Sequence, residues 1–364
     1  MRIEHFSSTQ FRNLQHDTVA FSSRVNLIVG RNGQGKTNVL EALQFFQFGR
    51  SFRTPRDNEL IRFDAPFCRI EVCAQSARAD RDTFAASIER GGAKRIKVNK
   101  QEAARYSEMV GRYPCVLFGP QDLALVSGYP AERRRFVDAI GSMTDQGYLR
   151  GLRDYRRVLK QRNAAFKARR TKEALGVWTE ALIQKGCAVT RERLAVLEAL
   201  RTALQPHVQT MHVPFGVELR YESELVDNRP DEVSFEEQFA AGLAAVELEE
   251  IRRGMTLVGP HRDDVKLLAD GWDLRRFGSQ GQRRLVAVLL RLAELSYLEQ
   301  RLREPSVLLL DDLFSELDEK TAGELKQLLA GERQVFVTSP VPLVWEQAGR
   351  AQTFEISDGR ISVE

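Results

Sequence analysis

The stretch VNLIVGRNGQGKTNVLEAL, Val25 to Leu43, decides the fold. Val25 to Val29 is an apolar run of strand length, and TNVLEALQFF carries the apolar spacing of a helix that Gly49 stops. Between them GRNGQGKT, Gly30 to Thr37, fits the pattern G-x-x-x-x-G-K-[ST] in full, with a strand entering and a helix leaving. Gly30, Gly33 and Gly35 let the backbone curl so that the N–H groups of the loop, through Arg31, Asn32 and Gln34, face phosphate oxygens. Lys36 places a point charge at the β- and γ-phosphates of a nucleotide, and the Thr37 hydroxyl is a candidate Mg²⁺ ligand. The helix N-terminus adds its partial positive charge at the same spot. The expected cofactors are ATP and Mg²⁺.

Such a loop needs an acidic residue at the end of a buried strand. SVLLLDDLFSELD supplies it: four apolar residues, Val307 to Leu310, lead into Asp311 and Asp312. Asp311 is expected on the Mg²⁺ shell. Asp312 is expected to orient or deprotonate an attacking water. The alternative for the pair is to cap the helix that follows.

Composition narrows the class. A chain of 364 residues with 43% apolar content makes two domains, or one domain with a large insertion. No window holds eighteen uninterrupted apolar residues, and the first seventeen are charged where a signal peptide is apolar. A soluble, cytoplasmic protein is expected. Cys68, Cys73, Cys115 and Cys187 lack zinc-site spacing and read as reduced, packed thiols. Between Arg150 and Lys172 stand ten basic residues against one acid, Asp154; that segment is +9 in a chain of net charge +4, so the remainder is −5. The interleaved Tyr148, Tyr155 and Phe166 suit a track for nucleic-acid phosphates, against which stands a merely solvated helix face. Arg153, Arg156, Arg157 and Lys160 are the candidate DNA contacts. Spread over two turns, they are expected not to share one face, so that two or three make contact.

Along the chain, CRIEVCAQ and DTFAASIE alternate as antiparallel strands, and RIKVNK reads as a third after a Gly91–Gly92 turn. From about Ala131 apolar residues fall at helical spacing (Tyr148, Leu152, Tyr155, Leu159; Leu194, Leu197, Leu200, Leu204). The longest helical segments are of roughly thirty residues, about 45 Å at about 1.5 Å per residue. Strand-and-turn character returns near TLVGPHRDDVKLL, and the last hundred residues read helix–strand–helix–strand. The expected division is residues 1–122 and 253–364 as two halves of a head, with residues 123–252 as an inserted helical arm.

One stretch, FGSQGQRR (Phe277 to Arg284), places a polar, glycine-bearing turn at the start of a long helix just upstream of the acidic strand. It resembles the signature loop of the ABC ATPase superfamily, which faces the nucleotide bound by the other subunit. The resemblance implies an α/β fold, an ABC-type P-loop ATPase head of mixed sheet and flanking helices, carrying a short helical arm. It also implies that Ser279, Gly281 and Gln282 meet a partner's ATP, and that SELD crosses a dimer interface. Gln121 in FGPQD would link nucleotide and metal to the arm. FRNL (Phe11 to Leu14), GRSFRT (Gly49 to Thr54), LALVSGYPAERRRFVD (Leu123 to Asp138) and GPHRDD (Gly259 to Asp264), with the phosphate loop, resemble the RecF family of bacterial recombination and repair proteins. Arg12 of FRNL joins the nucleotide residues on that likeness.

The resemblance implies an ATP-gated homodimer that binds single- and double-stranded DNA near gaps and junctions. It implies work with RecO and RecR to load RecA, no membrane, and slow DNA-stimulated hydrolysis. Two departures point to a switch rather than a motor: Asp312 stands where many relatives place Glu, and VFVTSP offers Thr338 and Ser339 where they place His. The alternative function is the energising ATPase subunit of an ABC transporter. For His261 in GPHRDD a turn entering a strand is the expectation.

Overall fold

Val25–Val29 becomes the third strand of a six-stranded sheet in the computed structural model. The order is Arg360–Val363, Ala351–Ser357, Val25–Val29, Val335–Ser339, Val307–Asp311, Cys115–Phe118. Every neighbouring pair is parallel except the first. Parallel strands are covered on both faces, which is why VNLIV, VLLLD, VFVTS and CVLF are mostly apolar, do not alternate with polar residues, and are buried almost end to end. The structure describes all residues except 16–17, 78–79, 104–105, 169–171, 226–232, 330, 332, 346–350 and 364.

A second sheet is antiparallel, in the order Thr18–Ala20, Arg2–Thr9, Phe67–Gln75, Arg81–Glu89, Lys94–Val98, Gln101–Glu102. Its strands alternate between buried and open positions, as FCRIEVCAQ does, because only one face meets the core. Helix Lys36–Phe48 packs into that core: Val39, Leu43, Phe45 and Phe46 join Val72 and Phe84 of one sheet and Ile28, Leu309 and Phe336 of the other. It ends at Gly49, in the left-handed region at φ 62. The hairpin Ala351–Val363 lies beyond the expected helix–strand–helix–strand run. Its Asp358–Gly359 turn, both residues at positive φ, is the sequence signal for it.

These elements belong to the first of two compact units, Met1–Asp122 with Gln209–His212 and Arg291–Glu364. The second is Leu123–Val208 with Val213–Leu290. The helical unit therefore runs to Leu290 rather than stopping at residue 252. The cause is strand pairing: Val217–Glu222 and Asp264–Ala269 are antiparallel partners along their whole length, and Trp272–Asp273 adds a third strand. Among the described residues its helices are Leu123–Ser127, Pro130–Thr144, Gln146–Lys167, Lys172–Thr210, Phe235–Ala245 and Glu247–Arg253, with Leu274–Phe277 before the signature turn and Gln280–Leu302 starting at it. Lys172–Thr210 has 39 residues, longer than expected, since Gly176, Gly186 and Pro206 do not interrupt it.

GPHRDD is the hub of this second unit. Gly259 sits at φ 126, and a Cβ there would lie 2.6 Å from the Phe239 ring, so only glycine fits. Arg193, 3% exposed, grips Asp138 through Nε and Nη2 at 2.8 and 3.1 Å and donates to the Pro260 carbonyl. Tyr221 donates to Asp263, and Arg133 forms a two-pronged pair with Asp264. The Tyr155 hydroxyl bonds His261 Nδ1 at 2.6 Å. The Arg193–Asp138 and Arg133–Asp264 charges are desolvated and paired, so removing one partner is costly.

Burial moves two groups here in opposite directions. His261 is pushed down to about 4, and Asp263 is pushed up to about 6. As pH falls from 6.5 towards 4, unfolded His261 takes a proton that the folded residue refuses, so its share of stability is lost over that window. Asp263 binds its proton first in the folded state, and below about 6 its share grows. His261→Gln leaves only the second effect. Its melting temperature is expected to fall less than wild type, or to rise, between pH 6.5 and 4.5. Parallel pH profiles for the two proteins would refute this.

Candidate functional site

The loop Gly30–Gly35 joins the carboxyl end of strand Val25–Val29 to helix Lys36–Phe48, as its sequence requires. Gly33 and Gly35 take φ 84 and 118. A Cβ on Gly30 would lie 2.4 Å from the Ile356 carbonyl oxygen, so close approach of the neighbouring strand demands glycine there. Lys36, 4% exposed, donates to the carbonyls of Gly30 and Arg31 at 2.6 and 3.3 Å and to Asn32 Oδ1 at 3.4 Å. Its ammonium is thus held over the concave side of the loop.

Asn13 donates to the Gln34 carbonyl at 3.0 Å and accepts from Asn38 at 2.7 Å. From the closing hairpin, Gly359 N–H donates to the same Gln34 carbonyl at 3.0 Å, and Asp358 N–H donates to the Gln34 side chain. Two segments remote in sequence clamp the loop, and neither was legible as loop-binding beyond the FRNL likeness.

Arg12 sits in the left-handed region at φ 52. Its Nε and Nη2 grip Glu41, which is fully buried, at 3.0 and 2.8 Å; its Nη1 donates to the Glu59 carbonyl at 2.7 Å. Arg53 shares Glu41 at 3.3 Å and donates to Asn38 at 2.7 Å. Glu41 thereby unites FRNL, the loop helix and GRSFRT around one buried carboxylate. Beside them opens a cleft of about 620 Å³, lined by Arg12, Asn13, Asn38, Arg53, Arg62 and Phe63 among others. Phe63 is 88% exposed, an uncovered ring at the cleft's rim.

The parallel order sets Val335–Ser339 between the loop strand and the acidic strand, and brings Thr37 to Asp311. The Thr37 hydroxyl donates to Asp311 Oδ1 at 2.9 Å. Burial pushes the Asp311 carboxyl up, partly offset by the Thr338 and Thr37 hydroxyls that bond it. Asp312 stands in the left-handed region at φ 48, ψ 23, and its side chain makes no capping hydrogen bond to the turn Leu313–Glu316. The helix after it is capped by Asp318 instead, through Thr321 N–H at 2.9 Å. Asp312 Oδ1 is buried with no hydrogen-bond partner among the described residues. Thr338, one of the two hydroxyl residues where relatives place His, turns its hydroxyl to the acidic pair.

Gln121 follows strand Cys115–Phe118, which pairs with the acidic strand through Leu310–Phe118, so it leaves from the same carboxyl edge. Its side chain folds back over Gly119, and Arg291 ties the turn by donating to Asp122 at 3.0 and 2.6 Å. Among the described residues no three His, Cys, Asp or Glu converge on a metal site. Hydroxyl and carboxylate oxygens beside a phosphate loop, with an orphaned carboxylate oxygen, do fit Mg²⁺, which keeps few protein ligands and shares phosphate oxygens.

In the second unit, the signature turn is a reciprocal cap. Ser279 N–H donates to Gln282 Oε1 at 2.8 Å, and Gln282 N–H donates to Ser279 Oγ at 3.2 Å. The Ser279 hydroxyl proton is still free to donate outward, whereas the Gln282 side-chain oxygen is engaged. A Cβ on Gly281 would meet nothing within 4 Å, so packing among the described residues does not call for glycine there. Beside the turn Phe277 and Trp272 form an edge-to-face pair, each 66% exposed.

The cationic helix Gln146–Lys167 corrects three expectations. Arg153, Arg156, Arg157 and Lys160 follow i, i+3, i+4, i+7 spacing; at about 100° per residue they fall within an arc of about 100°, and all four are exposed or partly so. They do share a face, and Arg150 and Lys167 extend it. Tyr148, Tyr155 and Phe166 lie on the opposite side and are 4%, 2% and 8% exposed, so they are core rings and not stacking platforms. Arg162 is also core: it donates to Glu250 at 2.6 Å, Thr256 at 2.8 Å and Thr179 at 3.0 Å. Arg156 is partly neutralised by Asp138 at 3.2 Å, while Arg153, Arg157 and Lys160 have no ion pair among the described residues. Arg169 and Arg170 lie outside the described residues.

A loop helix buried between a parallel and an antiparallel sheet, its threonine bonded to an acidic strand two places away, defines an ABC-type P-loop ATPase head. The family described as RecF/RecN/SMC N terminal domain matches residues 2–361. The DNA replication and repair protein RecF of Oceanobacillus iheyensis is 36% identical over 371 residues, covering all of both chains. That of Ligilactobacillus salivarius is 36% identical over 379 residues, covering all of this chain and 98% of the relative. The chain belongs to the RecF family. A solved structure of the recombination mediator protein RecF-ATP in the RecFOR pathway is similar, with 31% identity, TM-score 0.91, and coverage of 100% of this chain and 97% of that one. The Smc head of Pyrococcus furiosus bound to ScpA, at 16% identity and TM-score 0.57, shares the fold. Among the described residues no helix is long and apolar enough to cross a membrane.

Proposed function

We propose that the chain is an ATP-gated DNA-binding switch of recombinational repair. Two copies close on ATP, each molecule held by the phosphate loop of one copy and met by the signature turn of the other. The closed pair holds DNA at gaps or single-strand–double-strand junctions, in concert with RecO and RecR, where RecA is loaded. The observation that carries this reading is the Thr37–Asp311 bond at the mouth of a complete phosphate loop. Relatives that span the whole chain are replication and repair proteins, which favours this reading over the transporter one.

In this mechanism the loop N–H groups and Lys36 bind the phosphates, and the cleft beside Arg12 and Arg53 takes the nucleoside end. Thr37 and Asp311, with Gln121 from the same carboxyl edge, would hold Mg²⁺, which would supply charge neutralisation for the bound phosphates. Asp312, whose carboxylate oxygen is uncommitted, takes the proton of the attacking water. Ser279 donates across the dimer interface, flanked by the exposed Phe277 and Trp272, a pairing typical of contact surfaces. The exposed cations of helix Gln146–Lys167 neutralise DNA phosphates.

Ser279→Arg tests the sandwich. Monomer affinity for ATP is expected to stay within about twofold, while ATP-dependent pairing is lost, because the bulky cation meets only the partner. Nucleotide affinity and light scattering on one sample decide it; loss of monomer affinity sinks the model. Asp312→Asn is expected to slow turnover by about 100-fold or more, the usual worth of a positioned base. The ATP-bound dimer should then persist longer. Unchanged turnover would leave Asp312 without a role in hydrolysis.

A further inference from the structure

Thr338 occupies the strand that separates the two halves of the site. It registers with Asp311 on one side and with Ile28, two residues before the phosphate loop, on the other. It is 1% exposed. Its hydroxyl donates to Asp311 Oδ1 at 2.9 Å and accepts the Asp312 backbone N–H at 2.9 Å. The same Asp311 oxygen accepts from Thr37 at 2.9 Å. One buried hydroxyl therefore touches both members of the acidic pair, one through its side chain and the other through its backbone.

Each contact answers a physical need. A carboxylate at a strand end can turn about its side-chain bonds; two hydroxyls on one oxygen hold a single rotamer and leave its other oxygen uncommitted. Asp312 has the harder problem. A non-glycine residue at φ 48 is in a sparsely populated region and stays there only when its surroundings hold it. Aspartate also has one rotatable bond fewer than glutamate. Its reach is set by where its backbone lies, and its own side chain cannot make up for a backbone that drifts.

We propose that Thr338 is the positioning residue of this site, setting the rotamer of Asp311 and the left-handed backbone of Asp312 at once. The inference rests on the hydrolysis reading of the acidic pair. It makes the hydroxyl at this position an internal brace, in place of a contact to phosphate.

Thr338→Val keeps the shape and the β-branch of a buried strand residue while removing both bonds. Turnover at saturating ATP is expected to fall by about 10- to 100-fold, as for partners that orient a metal ligand. The KM for ATP should change by less than about threefold, because the phosphate loop is intact. By calorimetry, the Mg²⁺ concentration that half-maximally tightens ATP binding should rise by about tenfold. Thr338→Ser, which restores the hydroxyl, should return both quantities to within about twofold of wild type. Thermal melting reports whether each variant folds. If the valine variant does not fold, the serine variant and Thr338→Ala carry the comparison. A valine variant with wild-type turnover and Mg²⁺ dependence overturns the proposal, as does a serine variant as impaired as the valine one. Asp312→Asn is measured beside them. If wild type shows no turnover that this variant lowers, the hydrolysis reading fails, and Thr338 is judged on Mg²⁺-dependent nucleotide binding alone.

Discussion

Lys36→Ala is expected to lower ATP affinity by at least about 100-fold and to abolish ATP-dependent pairing. The ammonium lies inside a loop whose glycines bring backbone N–H groups to one point, and it is 4% exposed. A hydrogen bond to a charged group in such a setting contributes about 1.5–3 kcal/mol, and in the proposed function Lys36 would supply more than one to the phosphates. A loss of about 3 kcal/mol corresponds to a little over 100-fold in affinity. The loop itself should survive, since Asn13 and the Asp358–Gly359 turn hold it from outside. Calorimetry with ATP and light scattering with and without nucleotide measure the two effects. A Lys36→Ala protein that still pairs on ATP would remove the switch from the function proposed.

Reversing charge at Arg153, Arg156, Arg157 and Lys160 together is expected to weaken DNA binding by roughly 100-fold or more at physiological salt. ATP binding should be untouched. All four stand on one face, so they can meet phosphates together. For every phosphate left without its cation, the slope of log affinity against log salt flattens by about 0.9. Arg156 is already shared with Asp138, which makes a change of about three units the expected result. Phosphates carry no base information, so the weakening should be alike for every sequence. Arg162→Glu is the contrasting variant. It breaks a buried pair with Glu250 and should damage folding, leaving any effect on DNA secondary to that. An unchanged salt slope in the fourfold variant would place DNA on another surface.

Much of the head was legible because its signals are contiguous. Eight residues between a strand and a helix specify the phosphate cradle, since curling that backbone needs glycines at fixed offsets. The largely apolar, non-alternating strands VNLIV, VLLLD and VFVTS follow from burial on both faces of a parallel sheet. The turn FGSQGQ was legible only as a signature-loop likeness; that Ser279 and Gln282 form a reciprocal helix cap came from the structure. The boundary at residue 252 failed for the opposite reason. Only the pairing of Val217–Glu222 with Asp264–Ala269 shows that the stretch up to Leu290 belongs with the helices, and strand partners are not encoded by any local pattern.

By itself the sequence determined the loop, its strand and helix, the acidic strand end and the family likeness, each carried by residues close along the chain. Tertiary structure alone decided which of these meet. Thr37 and Asp311 are 274 residues apart and touch because strand order puts them at one sheet edge. Thr338 faces the acidic pair because its strand lies between theirs and the loop's. In the arm, charge counting could not tell Arg162 from Arg157. Which cation faces solvent depends on what the helix packs against, and Glu250, 88 residues away, is what took Arg162 inside.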